Sequence, residues 1–268
     1  MPIPHLPEEL LDHIVDFLYD GERVSRECCL VSKSWIPRTR KHLFVHAKFV
    51  TENDLKSWKK TFPDPLASPA HHAKAMLIGS YHVLRDVDAD GGCWLRGFSN
   101  VVHLEVKMHD HDRLTGTAAS AIPLVALHGF SPVIKSLYLG FALLSPSHIF
   151  DLILSFPLLE DLYILIFGGS AYNGDGPDGL PTVVQPQNPP TLTGTLSLFL
   201  VRGAEPITRR LLSLPGGIHF RKLTHSVSCE EDLPSIMELV EGCSHTLESV
   251  DITYSLPGTS IWHIRPHQ

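Results

Sequence analysis

The chain has 268 residues, of which 43% are hydrophobic and 19% charged, a composition that buries a core and excludes an intrinsically disordered protein. Lys and Arg number 22 against 29 Asp and Glu, a formal net charge of −7, and Lys56, Lys59 and Lys60 form a compact basic cluster. Nucleic acid is therefore not expected as a partner, because neutralising phosphates needs a basic face.

The N-terminal string MPIPHLPEEL puts acids and prolines where a secretory signal would have a basic patch and an apolar run, which predicts a cytoplasmic or nuclear protein. In LPEELLDHIVDFLYDG, Leu6, Leu10, Leu11, Ile14, Phe17 and Leu18 repeat at helical spacing. Pro7 suits the start of that helix, Glu8 and Glu9 the positive end of its dipole, and Gly21 its stop. A second helical stretch, ERVSRECCLVSKSW, places Val24, Cys28, Val31 and Trp35 along one side until Pro37 interrupts it. Cys28 and Cys29 belong to this helix. With Cys93, Cys229 and Cys243 they make five scattered cysteines, which fits free thiols in a reducing compartment better than a disulfide framework. A helical hairpin this short and this apolar buries too little surface alone. It has to be completed by the rest of the chain or by another protein.

Leu6-Pro7-Glu8-Glu9-Leu10-Leu11, then Cys29-Leu30-Val31-Ser32-Lys33-Ser34-Trp35, and the closing Arg40-Lys41-His42-Leu43-Phe44 resemble the F-box motif of ubiquitin-ligase substrate receptors in its fungal form. The resemblance implies a helical module, residues 1–49, that docks on a Skp-type adaptor and through it on a cullin scaffold. It implies that Leu6, Pro7, Leu10, Leu11, Ile14, Leu18, Leu30, Val31 and Trp35 form or support the adaptor-facing surface. It also implies a non-catalytic subunit with no cofactor, whose remaining domain holds a protein target.

Past this module, Thr51-Glu52-Asn53-Asp54 has the form of a capping box ahead of a helix carrying Leu55, Trp58 and Phe62. Alternating apolar strings follow at Met76, Leu104, Leu137, Leu162, Leu196, Leu223 and Val250, at spacings of 28, 33, 25, 34, 27 and 27 residues. Helix signals lie between them: Ser145-Pro146 before HIFDLILSF, Pro206 before ITRRLLSL and Asp232 before LPSIMELVE. The run from Leu152 to Phe167 is the most apolar, but Pro157, Glu160 and Asp161 break it, so no membrane span is expected. Strand and helix alternating in this way predict an α/β domain over residues 50–268 with a parallel sheet, and the pattern resembles irregular leucine-rich repeats. Thr193 and His225 stand where the pattern asks for an apolar side chain, and a doubly wound α/β fold is the alternative.

Residues 168–191 hold five Gly and five Pro in 24 positions and read as a flexible insertion, either a disordered excursion or a binding loop on one rim of the repeat. The tail Pro257 to Gln268 follows the last strand without a recognisable capping unit and is expected to serve as its cover, unless the chain continues further. Asp86-Val87-Asp88-Ala89-Asp90-Gly91 opens like a calcium loop, but its twelfth position is Gly97 rather than a bidentate Glu, so it reads as an acidic turn. His109-Asp110-His111-Asp112 carries no assigned role. No Cys-x-x-Cys, His-Glu-x-x-His, nucleophile elbow or phosphate loop is present, so no catalytic residue or metal ligand is predicted. A scaffold that binds an adaptor without directing ubiquitin transfer, and a stand-alone α/β enzyme, are the competing functional readings.

Overall fold

The computed structural model describes residues 7–18, 22–64, 68–80, 83–84, 94–107, 127, 130, 132–141, 146–166, 190–200, 204–214, 216–227 and 230–254. Leu6, Gly21, Ser145, the acidic turn at 86–91, the histidines at 109–112, nearly all of the 168–191 insertion and the 257–268 tail lie outside the described residues. Three helices open the chain: α1 (Glu8–Phe17), α2 (Glu22–Val31) and α3 (Ile36–Leu43). Strand β1 (His46–Phe49) and helix α4 (Glu52–Thr61) follow, then β2 (Ala75–Ile78), β3 (His103–Lys107), β4 (Ser136–Phe141), α5 (Pro146–Leu154) and β5 (Asp161–Ile166). The chain continues through β6 (Thr195–Leu200), α6 (Ala204–Leu212), β7 (Lys222–Val227), α7 (Leu233–Gly242) and β8 (Ser249–Tyr254).

The expected two-helix hairpin is a three-helix arrangement, because Ser32 is extended and caps a short 3-10 turn at Lys33–Trp35 through its side chain, which accepts from the Ser34 N–H. Pro37 then sits in the first turn of α3, where its missing N–H costs nothing, so it opens a helix instead of ending one. The segment 1–49 expected to be helical also contains β1, the first strand of the sheet. The capping box forms as read: the Thr51 hydroxyl accepts from the Asp54 N–H and the Asp54 carboxylate from the Thr51 N–H. Asp232 precedes α7 without making a side-chain cap.

Among the described residues the eight strands are all parallel and lie in sequence order from β1 to β8. Each connection carries the chain one strand further in the same direction. A doubly wound sheet reverses that direction and binds its ligand at the reversal; no reversal occurs here. Register puts equivalent side chains in rows. Phe49, Ile78, Val106, Leu139, Ile164 and Leu198 are aligned, fully buried and covered by Leu55 of α4, Ile149 and Ile153 of α5, and Leu211 of α6. The next residue in that row is His225, as buried as its neighbours, and the row ends on Ile252 of β8, which is 40% exposed.

The apolar slot preceding each strand is filled by Val101, Ile134 and Leu159, all fully buried. Before β6, Thr193 does not take that slot. Leu192 does, and it reaches the core by adopting a left-handed backbone with φ 44°, a conformation that leucine rarely accepts. Gly194 is required at the same bend, since a Cβ there would collide with the Asp161 carboxylate, whose Oδ1 accepts from the Thr195 N–H at 2.6 Å.

Six aromatic rings join the helical end of the chain to the sheet. Phe44, at the end of α3, meets Trp58 and Phe62 edge to face at 5.7 and 5.6 Å; Trp58 meets Phe49 at 5.6 Å, and Phe49 meets Trp94 at 4.7 Å and Phe98 at 5.7 Å. Such pairs contribute about 0.5–1.5 kcal/mol each beyond area burial, so the cluster is a principal tie between the two parts.

Neither ring nitrogen of His225 has a hydrogen-bond partner. Burial disfavours its imidazolium and pulls its pKa below the ordinary 6.5, against opposing pulls from Asp232 and the Ser226 backbone. The unfolded chain therefore takes up this proton before the folded one does, and stability falls as pH drops through about 6.5, levelling only below the depressed folded value. His225→Leu should flatten this part of the stability profile between pH 7 and 5 and leave stability at pH 7 equal or higher; chemical denaturation across that range checks it.

Candidate functional site

Helix α1 presents two unlike faces. At about 100° per residue, Asp12, Val15 and Asp16 fall on one side and Leu10, Ile14, Phe17 and Leu18 on the other. The first side is held. Arg38 of α3 grips Asp16 with two nitrogens, its Nε donating to Oδ1 at 2.6 Å, while another guanidinium nitrogen lies 3.7 Å from Asp12. His42 Nε2 adds a contact to Asp16 Oδ1 at 2.7 Å. The Arg38 hydrogen bond holds the Asp16 carboxyl well below the usual carboxylate range, with His42 assisting, and raises Arg38 in turn. Val15, Cys28 and Thr39 are the buried side chains of α1, α2 and α3 among the described residues, and the Thr39 hydroxyl donates to the Trp35 carbonyl at 2.6 Å.

The opposite side is bare. On it Leu10 is 48% exposed and Phe17 89%, with Ile14 and Leu18 also exposed, and at the end of α2 Leu30 is 87% and Val31 64% exposed. Val50, Leu158, Met237, Val250 and Ile252 are exposed as well, but they are spread along the rest of the chain, whereas six such side chains gather on α1 and the end of α2 and mark an interaction surface. Of the positions named from the sequence, Leu10, Ile14, Leu18, Leu30 and Val31 lie on exposed surface; Leu11 and Trp35 are half-buried, and Pro7 is the exposed residue whose carbonyl starts α1. Leu6 is outside the described residues. The expectation that Val24, Cys28, Val31 and Trp35 share one environment is not met: Cys28 is buried and Val31 faces water. Phe17 was not named for the surface, although the spacing Leu10, Ile14, Phe17, Leu18 already put it there.

The face of the sheet turned away from the helices is a second surface. One row across it reads Lys48, Leu77, Glu105, Tyr138, Tyr163, Ser197, Thr224 and Asp251. Tyr138 and Tyr163 stack with centroids 6.3 Å apart, and Lys107, which also pairs with Glu105, sits 4.8 Å above the Tyr138 ring. Half-buried Leu165 and Phe199 extend the patch along the next row. Partial burial raises both tyrosine pKa values.

Among the described residues, no group of three or more His, Cys, Asp or Glu side chains gathers to hold a metal ion, and no helix is long and apolar enough to cross a membrane. Cys28, Cys29 and Cys243 are free thiols. No protein-family model matches the chain, and no curated protein matches it either.

The Asp16 clamp fixes which way the apolar face points. Its carboxylate contributes stability above the ordinary carboxylate range and loses it as pH falls through the depressed folded value. Asp16→Asn should cost about 1 kcal/mol at neutral pH, kept small by solvent at the clamp's edge, and thermal unfolding of the full chain measures it.

Proposed function

We propose that this chain is the substrate-recognition subunit of a Skp-cullin-F-box type ubiquitin ligase. In this reading residues up to about 45 are the F-box, and the sheet-bearing remainder is an irregular leucine-rich-repeat-like solenoid that holds a protein target. The observation that carries it is the bare apolar face of Leu10, Ile14, Phe17, Leu18, Leu30 and Val31, which coincides with the segment whose sequence resembles an F-box. A Skp-type adaptor closing over that face would bury side chains contributing roughly 1.5–3 kcal/mol each when fully covered.

The strand order supports the second half of the reading. Strands added singly in one direction give an open sheet face without a ligand crevice, which suits a protein target better than a small substrate. Chemistry on the target is then supplied by the ubiquitin-charged partner enzyme. The receptor contributes by holding target and enzyme together, which converts a rare encounter into an intramolecular one and needs no acid, base or nucleophile of its own.

Leu10→Asp combined with Ile14→Asp places carboxylates on the docking face and should abolish capture of a purified Skp-type adaptor. Undiminished capture by the double variant, with its fold intact by circular dichroism, would remove the basis for the proposal. Deleting residues 168–191 should leave adaptor capture unchanged, since that segment belongs to the target-holding part; loss of capture would place the boundary elsewhere. Adaptor capture without ubiquitin transfer to a bound target in a reconstituted assay would identify a scaffold instead of a ligase subunit.

A further inference from the structure

Between Glu27 and Glu52 the sequence holds no acidic residue but carries Lys33, Arg38, Arg40, Lys41 and Lys48, and the interval between Asp64 and Asp86 is likewise free of acids. Folding superimposes these two stretches. Helix α3 packs on the 3-10 turn Pro69–His72, and the Lys74 N–H donates to the Val45 carbonyl at 2.8 Å while the Lys74 carbonyl accepts from Val102 and His103. Register then aligns His46, Ala75 and His103 side by side on β1, β2 and β3, with the small alanine as the floor between two exposed imidazoles. The His71 and His72 rings lie with centroids 3.9 Å apart and planes tilted by 53°, and His71 is anchored by Asn100, whose side-chain amide donates to its carbonyl. The pKa of His72 is pushed down by burial first, and then by the nearby His71 and Lys41. Arg38 and His42 are engaged by Asp16, but no carboxylate lies within ion-pair distance of Lys41, Lys48 or Lys74 among the described residues.

A protein of net charge −7 thus carries a cationic rim where its first three strands begin. We infer that this rim, centred on Lys41, His46, His71, Lys74 and His103, is a docking site for an acidic protein segment, one rich in Asp and Glu. Charge complementarity selects the occupant: within a Debye length of about 8–10 Å the rim attracts carboxylates, and the imidazoles add donors between the lysines. The excess negative charge elsewhere on the molecule repels a long polyanion that extends past the rim, whereas a short acidic segment meets only the rim. The inference goes beyond the adaptor reading and uses none of the exposed apolar residues on which that reading rests.

The test is fluorescence anisotropy of a fluorescein-labelled octaglutamate peptide on the full chain, with octaglutamine as the uncharged control. Octaglutamate should bind, weaken as salt rises from low to physiological concentration, and lose about tenfold or more in affinity with Lys41→Glu plus Lys74→Glu, both side chains being exposed; octaglutamine should not bind. If the reversals perturb the fold, Lys41→Gln plus Lys74→Gln supplies the same comparison with a smaller loss. Failure of octaglutamate to bind, or binding that the substitutions leave unchanged, overturns the assignment. Tighter binding of an eight-nucleotide single-stranded RNA through the same two lysines overturns it in favour of nucleic acid. Adaptor capture by the lysine variants should stay intact, so failure here is separable from failure of the ligase reading.

Discussion

Asp16, held by Arg38 and His42, decides the orientation of α1, and that orientation decides what the front of the molecule offers to water. A helix with charged and apolar sides can pack either way round. Burying two carboxylates against an apolar neighbour would be prohibitive, and pairing them with a guanidinium on α3 leaves the apolar stripe turned outward. The small interior of Val15, Cys28 and Thr39 follows from the same choice, because the larger side chains of α1 are committed to the outer face. A module organised in this way is compatible with solution only while its apolar face is limited in extent or covered by something else.

Behind the module, the parallel sheet imposes a different rule. A period of two along each strand, combined with unstaggered register, forces every second side chain into a row shared by all strands, whatever its chemistry. The rule is strict enough to bury His225 with no partner for its ring and to bend Leu192 into an unfavourable backbone region so that a large apolar group fills the slot Thr193 leaves. Both are costs accepted locally for continuity of the rows.

The seven strands β2 to β8 were legible because each carries an alternating string, complete in all but β7 where His225 replaces an apolar residue, and they fall where those strings predicted. Strand β1 was not, since His46-Ala47-Lys48-Phe49 has one large apolar residue and follows a basic run that reads as the tail of a helix. Pro37 was misjudged because proline ends helices and begins them equally well, and only the extended Ser32 distinguishes the two cases. The exposed apolar face was partly legible: the stripe on α1 is local and periodic, but how far Leu30 and Val31 stand out from the surface depends on how α2 meets α3. The cationic rim was hidden for a deeper reason. Its members come from segments about thirty residues apart, each unremarkable alone, and a search for runs of lysine finds instead Lys56, Lys59 and Lys60, of which Lys56 is paired with Glu52. The missing acids between Glu27 and Glu52 were the available signal.

The ring cluster at Phe44, Phe49, Trp58, Phe62, Trp94 and Phe98 has a mechanical consequence. Edge-to-face rings that slide lose contact with their neighbours, so the cluster couples α3 to the first strands. A displacement of α3 is therefore felt at β1 and at α4, the elements its end ring reaches through the cluster.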